Sequence, residues 1–449
     1  MSSDCSIDRL INRRWAAGTA VVVRYLRPGG NNANDGLSPA SAWANSAAGL
    51  EHGLRYLAMA SLNRPVALDV TGCTLAAEAL LQLGGIQLGG IDFDFDITTT
   101  GPSNFAGRQN CQIRATPAVV GGLSALTITG TAANATTGLR TVTVTDVLTP
   151  GAHVGQFLLG EGLGEWAVIA ANDANTLTVT TTVDVTGWTG DVGVYEPGAT
   201  LEFGSVDPFN FNGAIHLMAL CDWNLSGLAL TISAGSTAAA ALVIWPTAPV
   251  FLQLCSITGL DLQGGLDSVY VDACYLTGVI AQDGGAVTMR NCFLEECTPS
   301  LHGSGGKGTT YVIQCIMDGL TIPWGAGNTE SEYSCAVSAS RFSNGNLDGV
   351  EILFGIHSYT DVLIEGSSGD AVAVSNNATC RLTHVTGTGN GGWGVDIQSG
   401  AHVRCDNTCS VTGTAGDISL GNAGTFAWAA PLEEVDLGQL VRISVAGGV

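Results

Sequence analysis

The chain has 449 residues, 61 of them glycine, with 12% charged and 6% aromatic residues and a net charge of −23. That length can bury a large core and accommodates two or three domains, while the glycine content and low charge favour short strands and turns over a helical enzyme. The acidic balance argues against binding nucleic acid or anionic lipid, and no run of 18 apolar residues is present to span a membrane.

Arg9, Arg13 and Arg14 precede the apolar run WAAGTAVVV (15–23) and faintly imitate an export signal. The run is short, Arg24 follows it and no small-residue cleavage site appears, so it reads as an arm leading into a strand. YLRPGGNNANDGLSPASAWAN (25–45) is then a strand end, a Gly/Asn/Asp loop and the approach to a helix over 45–60. In that helix Leu50, Leu54, Leu57 and Ala58 share one face. Residues 1–65 therefore form an arm and a capping helix.

Strand-like pieces separated by glycines follow: VALDV, IQL, IDFDFDI and CQIRA, giving first rungs over 66–116. From Pro117 the pattern changes to hairpin-length Thr/Val strands joined by Asn/Asp turns, which predicts an inserted antiparallel sandwich or barrel-like module over 117–200. Rung-like strands return over 201–430, and 431–449 supply a closing strand.

Four near-repeats within 248–327 fix the architecture. Each carries a strand, a cysteine, further apolar residues and a glycine-rich turn, with Cys255, Cys274, Cys292 and Cys315 separated by 19, 18 and 23 residues. Three positions before the cysteine stand Leu252, Val271, Met289 and Val312; two positions after it stand Ile257, Leu276, Leu294 and Met317. One such unit cannot bury its own apolar face, whereas stacked copies bury a continuous column. The prediction is an all-β, right-handed parallel β-helix with the four cysteines as an inward, reduced structural stack. Disulfides Cys292–Cys297 or Cys405–Cys409 are the alternative. Cys335 and Cys380 do not keep the apolar residue three positions back, so the ladder loses its legible register beyond the fourth repeat.

The N-terminal segment resembles the opening of right-handed parallel β-helix proteins of the bacteriophage tail-spike and pectin-lyase-like type. The resemblance is carried by Asn34, Asp35, Gly36, Leu37, Ser38, Pro39 and Trp43. It implies a short helix plugging the first rung, which otherwise exposes unpaired edges, and a homotrimer of side-by-side solenoids. The leading functional expectation, drawn from the lack of a convincing export signal, the lack of a catalytic motif and the acidic, Gly-rich shaft, is a virion structural protein: a tail spike, tail fibre or surface-decoration protein on the particle exterior. Its partners would be other virion proteins and host surface polysaccharide, for host attachment. The alternative is an extracellular glycan depolymerase, a glycoside hydrolase or polysaccharide lyase. A third class, a bacterial surface adhesin, needs an export route.

Candidate chemistry is sparse, and an enzyme is the less favoured reading. Asp92, Asp94 and Asp96 alternate with Phe93, Phe95 and Ile97, which places three carboxylates on one strand face. They serve as a solvated surface, a hard-cation site or catalytic acid and base, since glycosidase carboxyl groups stand about 5–9.5 Å apart. Glu295 and Glu296 point opposite ways on an extended backbone, leaving one to form a cross-rung acidic pair with Asp272 or Asp318. Arg290, His302 and Lys307 are the cationic set that a lyase would need. Trp223, Trp245, Trp324 and Trp393 flank turns, where they either pack loops or stack on glycan rings; Trp245, Trp324 and Trp393 are the glycan-binding candidates. His216, His302, His357, His384 and His402 form no metal or triad spacing, and 303–306 is a turn, not a phosphate loop. No metal site and no cofactor is implied.

Overall fold

A computed structural model describes residues 21–60, 65–75, 111–133, 140–160, 166–180, 185, 188–203, 213–219, 223–232, 240–246, 248–262, 268–302, 308–325, 333–406, 408–421 and 424–429. The Asp92, Asp94 and Asp96 strand, the first twenty residues and the 431–449 closing strand lie outside the described residues.

The chain is a parallel β-helix. Its first face is a 14-stranded sheet running from Trp43–Ala44 to Thr425–Ala429. The rung beginning at Ser268–Asp272 shows how the sequence makes one turn. Ala273 adopts φ +49° and bends the chain after that strand. Cys274 then points inward, and Tyr275–Asp283 forms the second and third faces, bent again at Gly278 with φ +73°. Gly284 and Gly285, also at positive φ, return the chain to the first face.

The first corner recurs at Leu254, Ala273, Asn291, Gln314, Ala339, Asp361 and His384, all at φ between +48° and +55°. Left-handed conformation costs a residue with a Cβ about 1–2 kcal/mol. The stack offsets that cost, because each corner N–H bonds forward to the next rung: Ala273 to Arg290 O at 2.9 Å, Gln314 to Ser338 O at 3.0 Å, Ala339 to Thr360 O at 3.0 Å. The ladder thus runs unbroken through the bend.

Inward side chains form vertical rows. Leu252, Val271, Met289 and Val312 are successive register partners on the first face, continued by Val337, Tyr359, Leu382 and Cys405. Ile257, Leu276, Leu294 and Met317 do the same on the second face and continue into Phe342 and Ile364. All are buried. Each is worth about 1.5–3 kcal/mol relative to an exposed side chain.

The cysteine register does not lapse after Cys315; its occupant changes. Hydrogen bonds from the following residue step from Cys255 to Cys274, Cys292, Cys315, Ser340, Val362 and Val385. Cys335 and Cys380 belong to a different row, on the first face, where His357 stands between them.

The N-terminal cap is built as the sequence suggests. Asp35 Oδ1 accepts from Leu37 N at 2.9 Å and Ser41 Oγ at 2.7 Å, and Ser38 caps the short turn Pro39–Ser41. Trp43 donates its indole N–H to Asn34 O, locking the loop. Helix Ala47–Ala60 follows, with Ser46 Oγ accepting from Gly49 N. Leu50 and Leu57 enter the core, and Gly53 lets the helix lie directly on Leu68, where a Cβ would come within 2.7 Å.

Between strand Cys111–Arg114 of the first face and Ala199–Phe203 of the second sits a seven-stranded antiparallel module, in which six strands from Leu126–Ala133 to Asp191–Glu196 close into a barrel and Ala118–Val119 pairs with Asp191–Glu196 beside them. Closure comes from pairing Asp191–Glu196 with Phe157–Gly160. The barrel has its own core, including Leu158, Ile169, Leu177, Val179 and Val194. It folds back over the column: Phe157 and Val168 pack against Leu254, Ala273, Phe293 and Ile316, and Thr180 Oγ1 donates to Asn291 O at 2.7 Å. The left-handed corners thus have a second use, because Leu254 and Ala273 form part of the seat.

Candidate functional site: a carboxylate strip on the third face

In the later rungs the third face becomes a separate four-stranded sheet: Val350–Ile352, Val372–Val374, Trp393–Ile397 and Gly416–Leu420. Inward Val350, Val372 and Val395 anchor it. Alternation turns Glu351, Ala373, Asp396 and Ser419 to the other side as register partners. Just before these strands, Asp348 and Asp370 stack in the turns. Asp370 N donates to Asp348 Oδ1 at 2.6 Å, and Trp393 N donates to Asp370 Oδ1. Gly369 and Gly392 make this stacking possible, since a Cβ at either would lie 2.1–2.2 Å from the neighbouring aspartate oxygen.

Four carboxylates therefore share a short strip, in which Asp396 is buried and accepts from Gln398 Nε2 while Glu351 is half-exposed. Burial pushes the Asp348 carboxyl above its ordinary range, against the hydrogen bond from Asp370 N, and the Asp396 charge adds to the rise. Asp370 is raised by burial, opposed by the Trp393 N–H and helped by Asp348 and Asp396. Glu351 is raised by burial and then by Asp348. Desolvation and like charge both favour the protonated form, the condition under which a carboxyl serves as a general acid. Glu351 and Asp396 are two strands apart, about 9.6 Å at the backbone, with only the Ala373 methyl between them. That backbone spacing falls just beyond the roughly 6.5–9.5 Å that separates the carboxyl groups themselves in inverting glycosidases. Trp393, partly exposed, stands in line with Asp370.

A second acidic pair lies on the second face. Glu295 and Asp318 are register neighbours. Glu296 sits at the second corner with φ +49°, so the backbone is not extended there and only Glu295 joins the sheet's outward row. Tyr275 O–H donates to Glu295, and burial followed by that carboxylate raises the phenol's pKa. Asp318 accepts from Ser343 Oγ at 2.6 Å and Asn344 Nδ2 at 2.8 Å. Both carboxylates are thus engaged internally.

The other sequence candidates fall as follows. Trp324 is fully buried, edge-on to Phe342 with ring centroids 6.2 Å apart, and has no face open to a sugar. Its backbone bridges to Val350, which turns the ring into the core. Trp223 is buried. Trp245 lies on strand Ala240–Pro246, and its side chain is outside the described residues, as is that of His302; Lys307 is outside them altogether. Arg290 is committed to Asp272 through two bonds of 2.9 and 3.0 Å, which removes it from a lyase set. His384 bonds Asp361 at 3.0 Å and His402 bonds Thr425. Cys255, Cys274, Cys292 and Cys315 are free and buried, as are Cys297 and Cys405; Cys409 is free and half-buried. Burial raises the Cys274 and Cys292 thiols and pushes Cys297 up to about 12, which leaves them unreactive. Among the described residues no group of three or more His, Cys, Asp or Glu side chains is arranged to hold a metal ion.

No protein family and no curated sequence matches this chain. Three solved structures are similar to parts of it. They are the A-module of mannuronan C-5 epimerase AlgE6 from Azotobacter vinelandii (11% identity, 52% of this chain and 77% of that one, TM-score 0.29), XylC in complex with xylose (8%, 89% and 75%, 0.23), and the catalytic unit of a GH87 α-1,3-glucanase from Streptomyces thermodiastaticus (12%, 70% and 95%, 0.24). At these scores the fold rests on the strand ladder itself.

Proposed function

We propose that the chain is the rigid, glycan-engaging shaft of a surface structure of the tail-spike type, displayed on a particle exterior as a homotrimer. We further propose that it meets polysaccharide along the carboxylate strip. The observation that supports this most is the in-line placement of Asp348, Asp370 and Trp393 beside Glu351 and Asp396. Carboxylate oxygens accept hydrogen bonds from sugar hydroxyls, and an indole face offers an apolar platform beside them. Among the described residues no arginine pairs with the strip's carboxylates, so the strip suits a neutral or amine-bearing glycan and disfavours uronates.

Glycan cleavage is the second reading, favoured by three neighbouring carboxyls that hold protons above their ordinary range. One experiment separates the two. Wild type, Glu351→Gln, Asp370→Asn and Trp393→Ala are incubated with host surface polysaccharide, and both bound glycan and new reducing ends are measured. Attachment alone gives binding that falls about 10-fold or more in Trp393→Ala, without chain shortening. Hydrolysis gives shortened chains that disappear in Glu351→Gln or Asp370→Asn while binding persists. Binding indifferent to all three substitutions removes the strip from either role. Antibody labelling in electron microscopy tests the particle location, and recovery only as a free secreted protein would sink it.

A further inference from the structure

We propose that the outward side of the first face carries an oxyanion-binding site made by Arg381 and Arg404, suited to a phosphate or sulfate group. The two are direct register partners on adjacent parallel strands, so their backbones lie about 4.8 Å apart. Both side chains are exposed.

What marks them is how the other arginines are used. Arg27 and Arg114 share Asp69, at 2.8 and 3.8 Å. Arg290 pairs with Asp272 and Arg341 with Glu365. Arg24 lies over the Tyr56 ring at 4.4 Å, and Arg140 is also engaged. Among the arginines whose side chains are described, Arg381 and Arg404 alone have no partner, and they stand side by side. The nearby carboxylates are occupied elsewhere: Asp406 accepts from His384 N and Thr408 N, and Asp361 pairs with His384 Nδ1. In a chain of net charge −23 the ordinary outcome is that a guanidinium finds a carboxylate. Two left open and adjacent repel each other, and an anion between them removes that repulsion.

The geometry also selects the anion. Each guanidinium is a rigid fork of N–H donors. A carboxylate has two oxygens and is satisfied by one fork, whereas a phosphate or sulfate has three or more and can accept from both. Upstream in the same outward row stand Ser358, Ala336 and Tyr311, small side chains ending in a ring that is 46% exposed. That leaves a flat track of about 19 Å from Tyr311 to Arg404, long enough for a substituted polymer as well as a free ion. The site lies on the first face, apart from the carboxylate strip on the third, and does not depend on its role.

The test uses the full chain in titration calorimetry with three probes: inorganic phosphate, a poly(glycerol phosphate) polymer and polygalacturonate. Saturable binding of phosphate or the phosphate polymer is expected, weakening with added salt, and falling at least 10-fold in Arg381→Gln/Arg404→Gln. Both substitutions are on an exposed strand face, and an unchanged melting curve confirms the fold. Stronger binding of the polymer assigns the site to a polymer substituent; binding of phosphate alone assigns it to the free ion. The proposal is overturned if neither phosphate probe binds, if the double variant binds like wild type, or if polygalacturonate binds equally well through the same two arginines.

Discussion

His357 is the residue whose setting has the clearest thermodynamic consequence. It is 1% exposed, between Cys335 and Cys380 in an inward row, with Tyr333 and Tyr359 rings 5.6 and 6.5 Å away. Its Nε2–H donates to Phe354 O at 3.0 Å, which leaves Nδ1 bare and without a hydrogen-bond partner. Burial lowers its pKa from 6.5 to about 4, opposed only partly by that hydrogen bond. Between those values the unfolded chain binds the proton more readily than the folded one, so folding stability rises with pH across this window. The loss on going from above pH 6.5 to pH 4 is about 3 kcal/mol from this group. Urea denaturation of wild type and His357→Phe from pH 4 to 7 measures it. The variant is expected to lose one hydrogen bond yet show a flatter dependence on pH; equal slopes would remove His357 as the source.

At the scale of the element, the first corner explains both what the sequence discloses and what it hides. Ala339 illustrates the constraint: φ +48°, an N–H bonded to Thr360 O, and a position outside the barrel seat. Ala339→Gly relieves a left-handed cost of about 1–2 kcal/mol but adds about 0.4–1 kcal/mol of unfolded-chain entropy, so a small net gain is expected. Ala339→Val, β-branched, is expected to lose about 1–3 kcal/mol. Denaturation midpoints of the pair decide it, and a Val variant as stable as the Gly variant would rule out corner strain. The cysteine after the corner marks phase in four rungs because a small buried side chain fits there, so Leu252 to Val312 and Ile257 to Met317 were readable as inward rows. Ser340, Val362 and Val385 fill the same place without a distinctive residue, and the register became illegible although the backbone repeats it. The carboxylate strip is hidden in the sequence for the same reason. Its signal is present as Asp348-Gly-Val-Glu-Ile, Asp370-Ala-Val-Ala-Val and Trp393-Gly-Val-Asp-Ile, spaced by 22 and 23 residues. Only once those segments are aligned do Asp348, Asp370 and Trp393 fall in one line. Trp324 went the other way: its place beside a turn suggested an outward ring, but its bridge to Val350 turns the ring into the core.

For the whole molecule the open issue is how an inserted barrel and a solenoid behave as one body. The two connecting segments pass in contact, since a Cβ on Gly198 would meet Thr116 O at 1.9 Å. Such a neck alone would let the barrel swing. Its position is instead fixed farther along the column, where Tyr275 lies under Gly155, stacks on Phe293 at 5.6 Å and donates to Glu295. Phe157, Val168 and Ile316 complete an apolar seat across several rungs. Interfaces of this kind couple the unfolding of the parts they join, and weakening one lets the less stable part open alone. Wild type is therefore expected to melt in a single calorimetric transition. Tyr275→Ala, which removes the ring from the centre of the seat, is expected to split it, with a barrel transition preceding that of the column. In hydrogen exchange the barrel amides at Leu158, Val168 and Val179 should lose protection, while those at Leu276 and Leu294 in the column keep theirs. Tyr275→Phe retains the ring, loses only the bond to Glu295, and should stay cooperative. If Tyr275→Ala melts in one transition with barrel protection intact, the neck and not the seat holds the barrel in place.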